Sequence, residues 1–180
     1  MSIVTGDILF KLSIKTGSAG NSLPQADPNA SLGKYISTTQ ITDANLNNLF
    51  DDVSGDENLA DDVEYRCFFI HNAHASLSLL TPVVWISTET ALGANCAVAI
   101  DDIAASPIGQ SGAQADEVAN ESTAPTGESF TSPTTKATGL SLGTLAAGYC
   151  RAVWVRRTAN HSAALNNDSV SIRVEGDTAQ

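Results

Sequence analysis

The chain has 180 residues, a length that fits one domain and is enough to bury a core without disulfides or a structural metal. Only 9 Lys and Arg stand against 20 Asp and Glu, for a formal net charge of −11. Phosphate backbones and anionic membrane surfaces repel such a surface, so nucleic acid and membrane are excluded as expected partners. The hydrophobic fraction of 42% argues against wholesale disorder.

Met1 to Ile14 has no basic n-region or continuous apolar h-region, so it reads as part of the fold and not as a signal peptide. Synthesis and folding in a reducing cytoplasm are therefore expected. Within that stretch Ile8, Phe10, Leu12 and Ile14 fall on one side of a predicted strand, with Lys11, Ser13 and Lys15 on the other. The pattern predicts one buried face and one wet face. Thr16 to Leu32 carries Gly17, Gly20, Pro24 and Pro28; it reads as turn material, and residues 16–32 are a candidate extended arm. Lys34 to Ile41 reads as a strand. Thr42 to Phe50 is the one expected helix, with Thr42 or Asp43 as its N-cap.

Asp51 to Glu64 (DDVSGDENLADDVE) is an acidic segment. Its carboxylates suit a calcium ion in type, yet their spacing does not follow an EF-hand loop, so a solvated, mobile loop and a Ca²⁺ site both stay open. Glu64 to His71 and Leu77 to Ser87 follow as apolar strands, with Asn72 to Ser76 the right length for a hairpin loop. Pro82 marks an edge or a bulge in the second strand. Asn95 to Asp102 is a shorter strand. Residues 104–138 form a long irregular segment, with a short strand expected near Ser129 to Thr131. Gly139 to Gly148 reads as a turn into the strand Tyr149 to Thr158. The last strand alternates Val170, Ile172 and Val174 with Ser169, Ser171, Arg173 and Glu175. Short strands, Gly/Pro-rich turns and little helical periodicity together predict an all-β chain: a single antiparallel β-sandwich, immunoglobulin-like or jelly-roll, with one short helix at most.

The residues carry little that points to catalysis. No G-x-S-x-G elbow, Walker-type phosphate loop or dinucleotide-binding glycine pattern occurs, and no nucleophile–base–acid set stands out. The expectation is a non-enzymatic protein with no catalytic residues, no cofactor and no bound metal. His71 and His74 sit three apart, but tetrahedral zinc needs further ligands that are not near them. Cys67, Cys96 and Cys150 lie in apolar stretches and read as buried free thiols. The competing reading is an immunoglobulin-type bridge from Cys67 to Cys150 packed on Trp85. Arg156 and Arg157, neighbours on a strand, should face opposite sides of a sheet, and one of them could pair with the acidic segment of the same or a neighbouring subunit. Tyr35 and Tyr149 are the candidate exposed aromatics for ligand binding.

Three stretches carry a resemblance: DDVSGDENLADDVEYRCFFIHN (51–72), LSLGTLAAGYCRAVWVRRT (140–158) and NNDSVSIRVEGDT (166–178). A YRC strand, an L-x-L-G-x-L-x-x-G turn and a W-V-R-R strand in that order resemble virion proteins of tailed bacteriophages. The resemblance implies a particle component in the virion, made in the host bacterial cytoplasm. Its implied partners are other virion proteins, such as a major capsid or tail protein, and further copies of itself in a homo-oligomer or lattice. Capsid decoration on the outer head surface is the favoured role, because an acidic protein is poorly suited to line a DNA-filled shell. A tail, collar or fibre-associated module that binds a receptor or carbohydrate is the alternative. The signature transfers no catalytic residues.

Overall fold

A computed structural model of the chain describes residues 2–90 and 92–178. Nine strands form among the described residues: β1 (Ile8–Ile14), β2 (Tyr35–Gln40), β3 (Val63–Asn72), β4 (Leu79–Thr90), β5 (Ala94–Ile100), β6 (Ser106–Pro107), β7 (Leu140–Ser141), β8 (Tyr149–Ala159) and β9 (Ser169–Thr178). The larger sheet runs β2-β1-β3-β8-β5, with β6 also paired to β8; the smaller runs β7-β4-β9. Every strand pair is antiparallel. The chain is therefore the all-β sandwich that its alternation predicts. None of its described helices is long and apolar enough to cross a membrane.

The sandwich core lies between the sheets. Phe68, Ile70, Val98, Val153 and Val155 of the large sheet meet Leu79, Val84 and Ile86 of the small one, and Leu142 and Leu145 fill in from the turn after β7. Phe10 stacks on Phe68 at 5.5 Å between ring centroids. Each such side chain, fully buried, contributes roughly 1.5–3 kcal/mol of transfer free energy. The turn read between Gly139 and Gly148 is thus a core element as well as a connection.

The large sheet also buries its outer face. Ile36, Cys67, Phe69, Ala99, Cys150, Ala152 and Trp154 form a second core there, beneath Ala115 and Val118 of the long irregular segment. That segment is held by backbone: Lys34 N donates to Asp116 O, Gln114 N to Lys34 O, and Val118 N to Leu32 O. Gly33 permits the approach. Its φ is +92°, and a Cβ there would lie 1.8 Å from Asp116 O. Within residues 104–138, β6 joins β8, Ala115 and Val118 lie across the outer sheet face and follow its side chains, and Thr131 and Pro133 carry the chain past the β5 edge to the small sheet.

This second core corrects the reading of β1. Lys11 and Ser13 were expected on a wet face; both are buried. The Ser13 hydroxyl accepts from Gly33 N and lies 3.2 Å from the Ser31 hydroxyl, and Lys11 Nζ donates to Asn21 Oδ1 at 2.7 Å. Polar side chains tolerate burial when so partnered. The candidate arm at 16–32 supplies those partners. It lies along β2, with Asn21 N donating to Ile36 O and Thr38 N to Leu23 O, and Ser31 bonded to the backbone of Cys67. In this structure it belongs to its own fold.

The helix lies elsewhere than expected. Thr42 to Phe50 makes turns, with Ala44 and Asn47 at positive φ, which a right-handed helix cannot hold. The helix is α1 (Gly55–Ala60), inside the acidic segment. Ser54 and Glu57 form its capping box: Glu57 N donates to Ser54 Oγ, and Ser54 N donates to Glu57 Oε2 at 2.6 Å. Asp61 ends it at φ 51°. The acidic segment is therefore built around a capped helix and not a featureless loop.

The Asn72 to Ser76 connection is not a hairpin, because β3 and β4 lie in different sheets. The Asn72 amide donates to Leu77 O and Leu145 O, and His74 Nδ1 accepts from Ser76 N and Leu77 N. These bonds turn the chain from one sheet to the other. Pro82 sits at a bulge, where the β4–β9 register shifts between Leu80 and Val83. The strand expected near Ser129 to Thr131 amounts to one bridge between Thr131 and Val98.

Candidate functional site

Three groups of ionisable side chains stand out among the buried polar residues described. The first lies at the α1 end of the sandwich. Glu64 and Arg66 are two apart on β3 and so share a face, and Glu64 is directly opposite Arg157 of β8. Arg157 Nε donates to Glu64 Oε2 at 2.7 Å, and its Nη2 reaches the same oxygen. Arg66, fully buried, contacts Glu64 at 3.6 Å and Glu121 at 2.6 Å. Asp51 lies 3.3 Å from Arg157 and 3.9 Å from Arg66. The Phe50 ring covers both guanidiniums, at 5.2 and 4.7 Å from its centroid. Burial pushes the Glu64 carboxyl up, and the two arginines oppose that shift.

Arg156 and Arg157 face opposite sides, as their adjacency requires: Arg156 lies 5.5 Å from the Phe130 centroid, on the outer face. Arg157 does pair with the acidic segment, within its own subunit. Asp51, at the start of that segment, is thereby fastened to the sheet to which Glu64, at its end, already belongs. Sequence reading missed Arg66. Its signal was a Glu-x-Arg pair inside an apolar strand of a chain with few cations.

The second group surrounds Asp101, which leaves β5 on the outer face and is fully buried. Its Oδ2 accepts from Trp154 Nε1 and Asp116 N, both at 2.8 Å, and its Oδ1 accepts from Ile103 N at 2.9 Å. Arg151 Nη2 donates to Asp101 O at 2.7 Å. Asp101, Asp102 and Glu128 each place a carboxylate oxygen within 4.8 Å of the others. Among the described residues this is the one set of three His, Cys, Asp or Glu side chains so placed, and it lies outside the acidic segment. Its chemistry suits proton binding better than a cation, because Asp101 already accepts three N–H donors and Arg151 lies alongside. Desolvation, with Asp101 and Asp116 nearby, pushes Glu128 up to about 7.

The third group is on the same outer face, at the far end of β3. His71 lies directly opposite Cys150, with Lys11 on the next strand. Neither ring nitrogen of His71 has a hydrogen-bond partner in the structure. Desolvation, then the Lys11 charge, lower its pKa to about 4. Burial pushes the Cys150 thiol up to about 12. At neutral pH both groups are uncharged, the reverse of an activated thiolate–imidazolium pair.

The remaining sequence candidates are scattered. His74 turns its Nδ1 to backbone donors and shares no site with His71; His161 is exposed and lies 3.7 Å from Asp61. Cys67, Cys96 and Cys150 are free and buried. The Cys67–Cys150 bridge is overturned by topology. Both lie in the large sheet, Cys67 opposite Trp154 and Cys150 opposite His71, which separates them by about 13 Å along the strands. A disulfide needs Cα atoms within about 7 Å. Trp85 lies in the other sheet, and the tryptophan of the outer-face core is Trp154. Tyr35 is buried, its hydroxyl donating to Ser111 O at 3.0 Å, so it offers no exposed platform; Tyr149 is half-buried.

No family model matches the chain, and no curated protein or solved structure is significantly similar to it.

Proposed function

We propose that this chain is a non-enzymatic structural protein of a tailed-bacteriophage virion, decorating the outer surface of the head. The observation that carries the reading is how its buried polar groups are used. Arg66, Arg157, Glu64 and Asp101 hold surface segments onto the sandwich, and the one Cys–His pair described is neutral on both sides. Such a fold is a rigid body whose work is done by its surface. The net charge of −11 favours an outward-facing position away from packaged DNA. The major capsid protein, or a tail protein, is the proposed partner. A receptor- or carbohydrate-binding fibre module is less favoured, because Tyr35 is committed to the interior.

The test is mass spectrometry of gradient-purified virions of the phage that encodes the chain, with add-back of purified protein to stripped heads. The chain should appear at stoichiometric abundance and rebind the heads saturably. Its absence from the particles would sink this reading.

A further inference from the structure

A strand edge left open in a sandwich must be covered, blunted or used. The large sheet has both of its edges covered: residues 21–25 run along β2, and Thr131 bridges to β5. In the small sheet β9 pairs with β4 on one side. On its other side no backbone hydrogen bond reaches it among the described residues. The free edge is ten residues long, on a strand that alternates exposed and half-buried positions throughout.

The charges on this edge are self-complementary. Arg173 is exposed at the middle of β9. It is the one Lys or Arg of the chain whose head group has no hydrogen bond, ion pair or aromatic contact among the described residues. Two residues on, Glu175 is also exposed and touches Lys136 through one oxygen only.

We propose that β9 pairs antiparallel with β9 of a second copy, about a twofold axis at Val174. In this register Arg173 of each copy opposes Glu175 of the other, and Ser171 opposes Asp177. Moving the axis to Arg173 sets Arg173 against itself; moving it to Glu175 faces Arg173 with Asp177 but sets Glu175 directly against itself at the centre; and moving it to Gly176 opposes Glu175 to Asp177 twice. Cross-strand ion pairs favour a register and like pairs oppose it. The contact joins two three-stranded sheets into one of six strands. Val4, an apolar side chain 60% exposed, borders the same depression as Val174, Gly176 and Thr178, and the second copy would cover it.

The proposal adds a surface and a partner to the assembly reading and can fail independently of it. Sedimentation of the wild-type chain from micromolar to millimolar concentration should show a monomer–dimer equilibrium. R173E alone and E175R alone should each weaken it about tenfold or more, since each sets like charges opposite twice, and R173E combined with E175R should restore it. An equimolar mixture of S171C and D177C should form a disulfide-linked dimer under mild oxidant, while neither variant alone does so. The native cysteines are buried and do not compete. If the charge variants fold poorly, the cysteine pair decides alone. A wild-type chain that is monomeric throughout, an R173E variant that dimerises unchanged, or cysteine variants that cross-link as readily alone as mixed would overturn the proposal. A monomer found in virions would sink the dimer only, and a dimer absent from virions would sink the virion reading only.

Discussion

Acidification acts on this fold through two desolvated groups that pull in opposite directions. His71 titrates near 4 in the folded chain, against an ordinary 6.5. Its folded value is depressed, so the stability it supports is present above about 6.5 and is lost as the pH falls through 4. The difference between 6.5 and about 4 corresponds to roughly 3 kcal/mol. Glu128 titrates near 7, against an ordinary 4.5. Its folded value is raised, so its contribution is present below about 4.5 and is lost as the pH rises through 7. Glu128 is only half-buried, and solvent screening reduces its effect to roughly 1–2 kcal/mol. Between pH 4.5 and 6.5 the two contributions partly cancel. His71→Leu removes the first and keeps the packing; Glu128→Gln removes the second. Denaturant unfolding at half-unit pH steps should show H71L gaining about 2–3 kcal/mol on the wild type between pH 7 and pH 4. E128Q should match the wild type near pH 4.5 and exceed it by about 1–2 kcal/mol near pH 8. An H71L curve parallel to the wild type across this range would refute the burial argument, as would an imidazole NMR titration of His71 near 6.5.

The thiols give a second test. All three should be silent to a thiol reagent in the native protein at pH 8 and reactive in denaturant without reductant, because burial pushes Cys96 and Cys150 to about 12 and raises Cys67 well above its ordinary value. Glu64→Gln leaves Arg66 and Arg157 buried without their shared carboxylate. It should cost about 2–3 kcal/mol in denaturant unfolding, below the usual range for a broken buried pair because the half-exposed Asp51 and Glu121 remain. Gly33→Ala places a methyl against Asp116 O at a positive φ, so a loss of about 2 kcal/mol or more should accompany faster amide exchange in residues 114–118.

Strand content and order were legible in the sequence because side-chain alternation is local. The runs at Ile8–Ile14, Glu64–His71, Tyr149–Thr158 and Ser169–Glu175 all became strands, and Pro82 marked its bulge. The capping box Ser54-x-x-Glu57 was an equally local signal that the sequence reading passed over, setting the helix at Thr42 to Phe50, which forms turns instead. The opposite faces of Arg156 and Arg157 follow from the pleat alone. The pairing of sheets was not legible, because nothing in Asn72 to Ser76 states whether the next strand returns to the same sheet or crosses to the other. Nor could the sequence reveal that the polar face of β1 is buried. That depends on residues 16–32 and 104–138 lying over the large sheet, through contacts about 20 to more than 100 positions apart, such as Ser13 with Gly33 and Lys15 with Val118. The same long-range packing turned ordinary residues into perturbed ones. His71, Asp101 and Glu128 look unexceptional in the chain, and only the segments folded over them exclude the water that would otherwise set their charge.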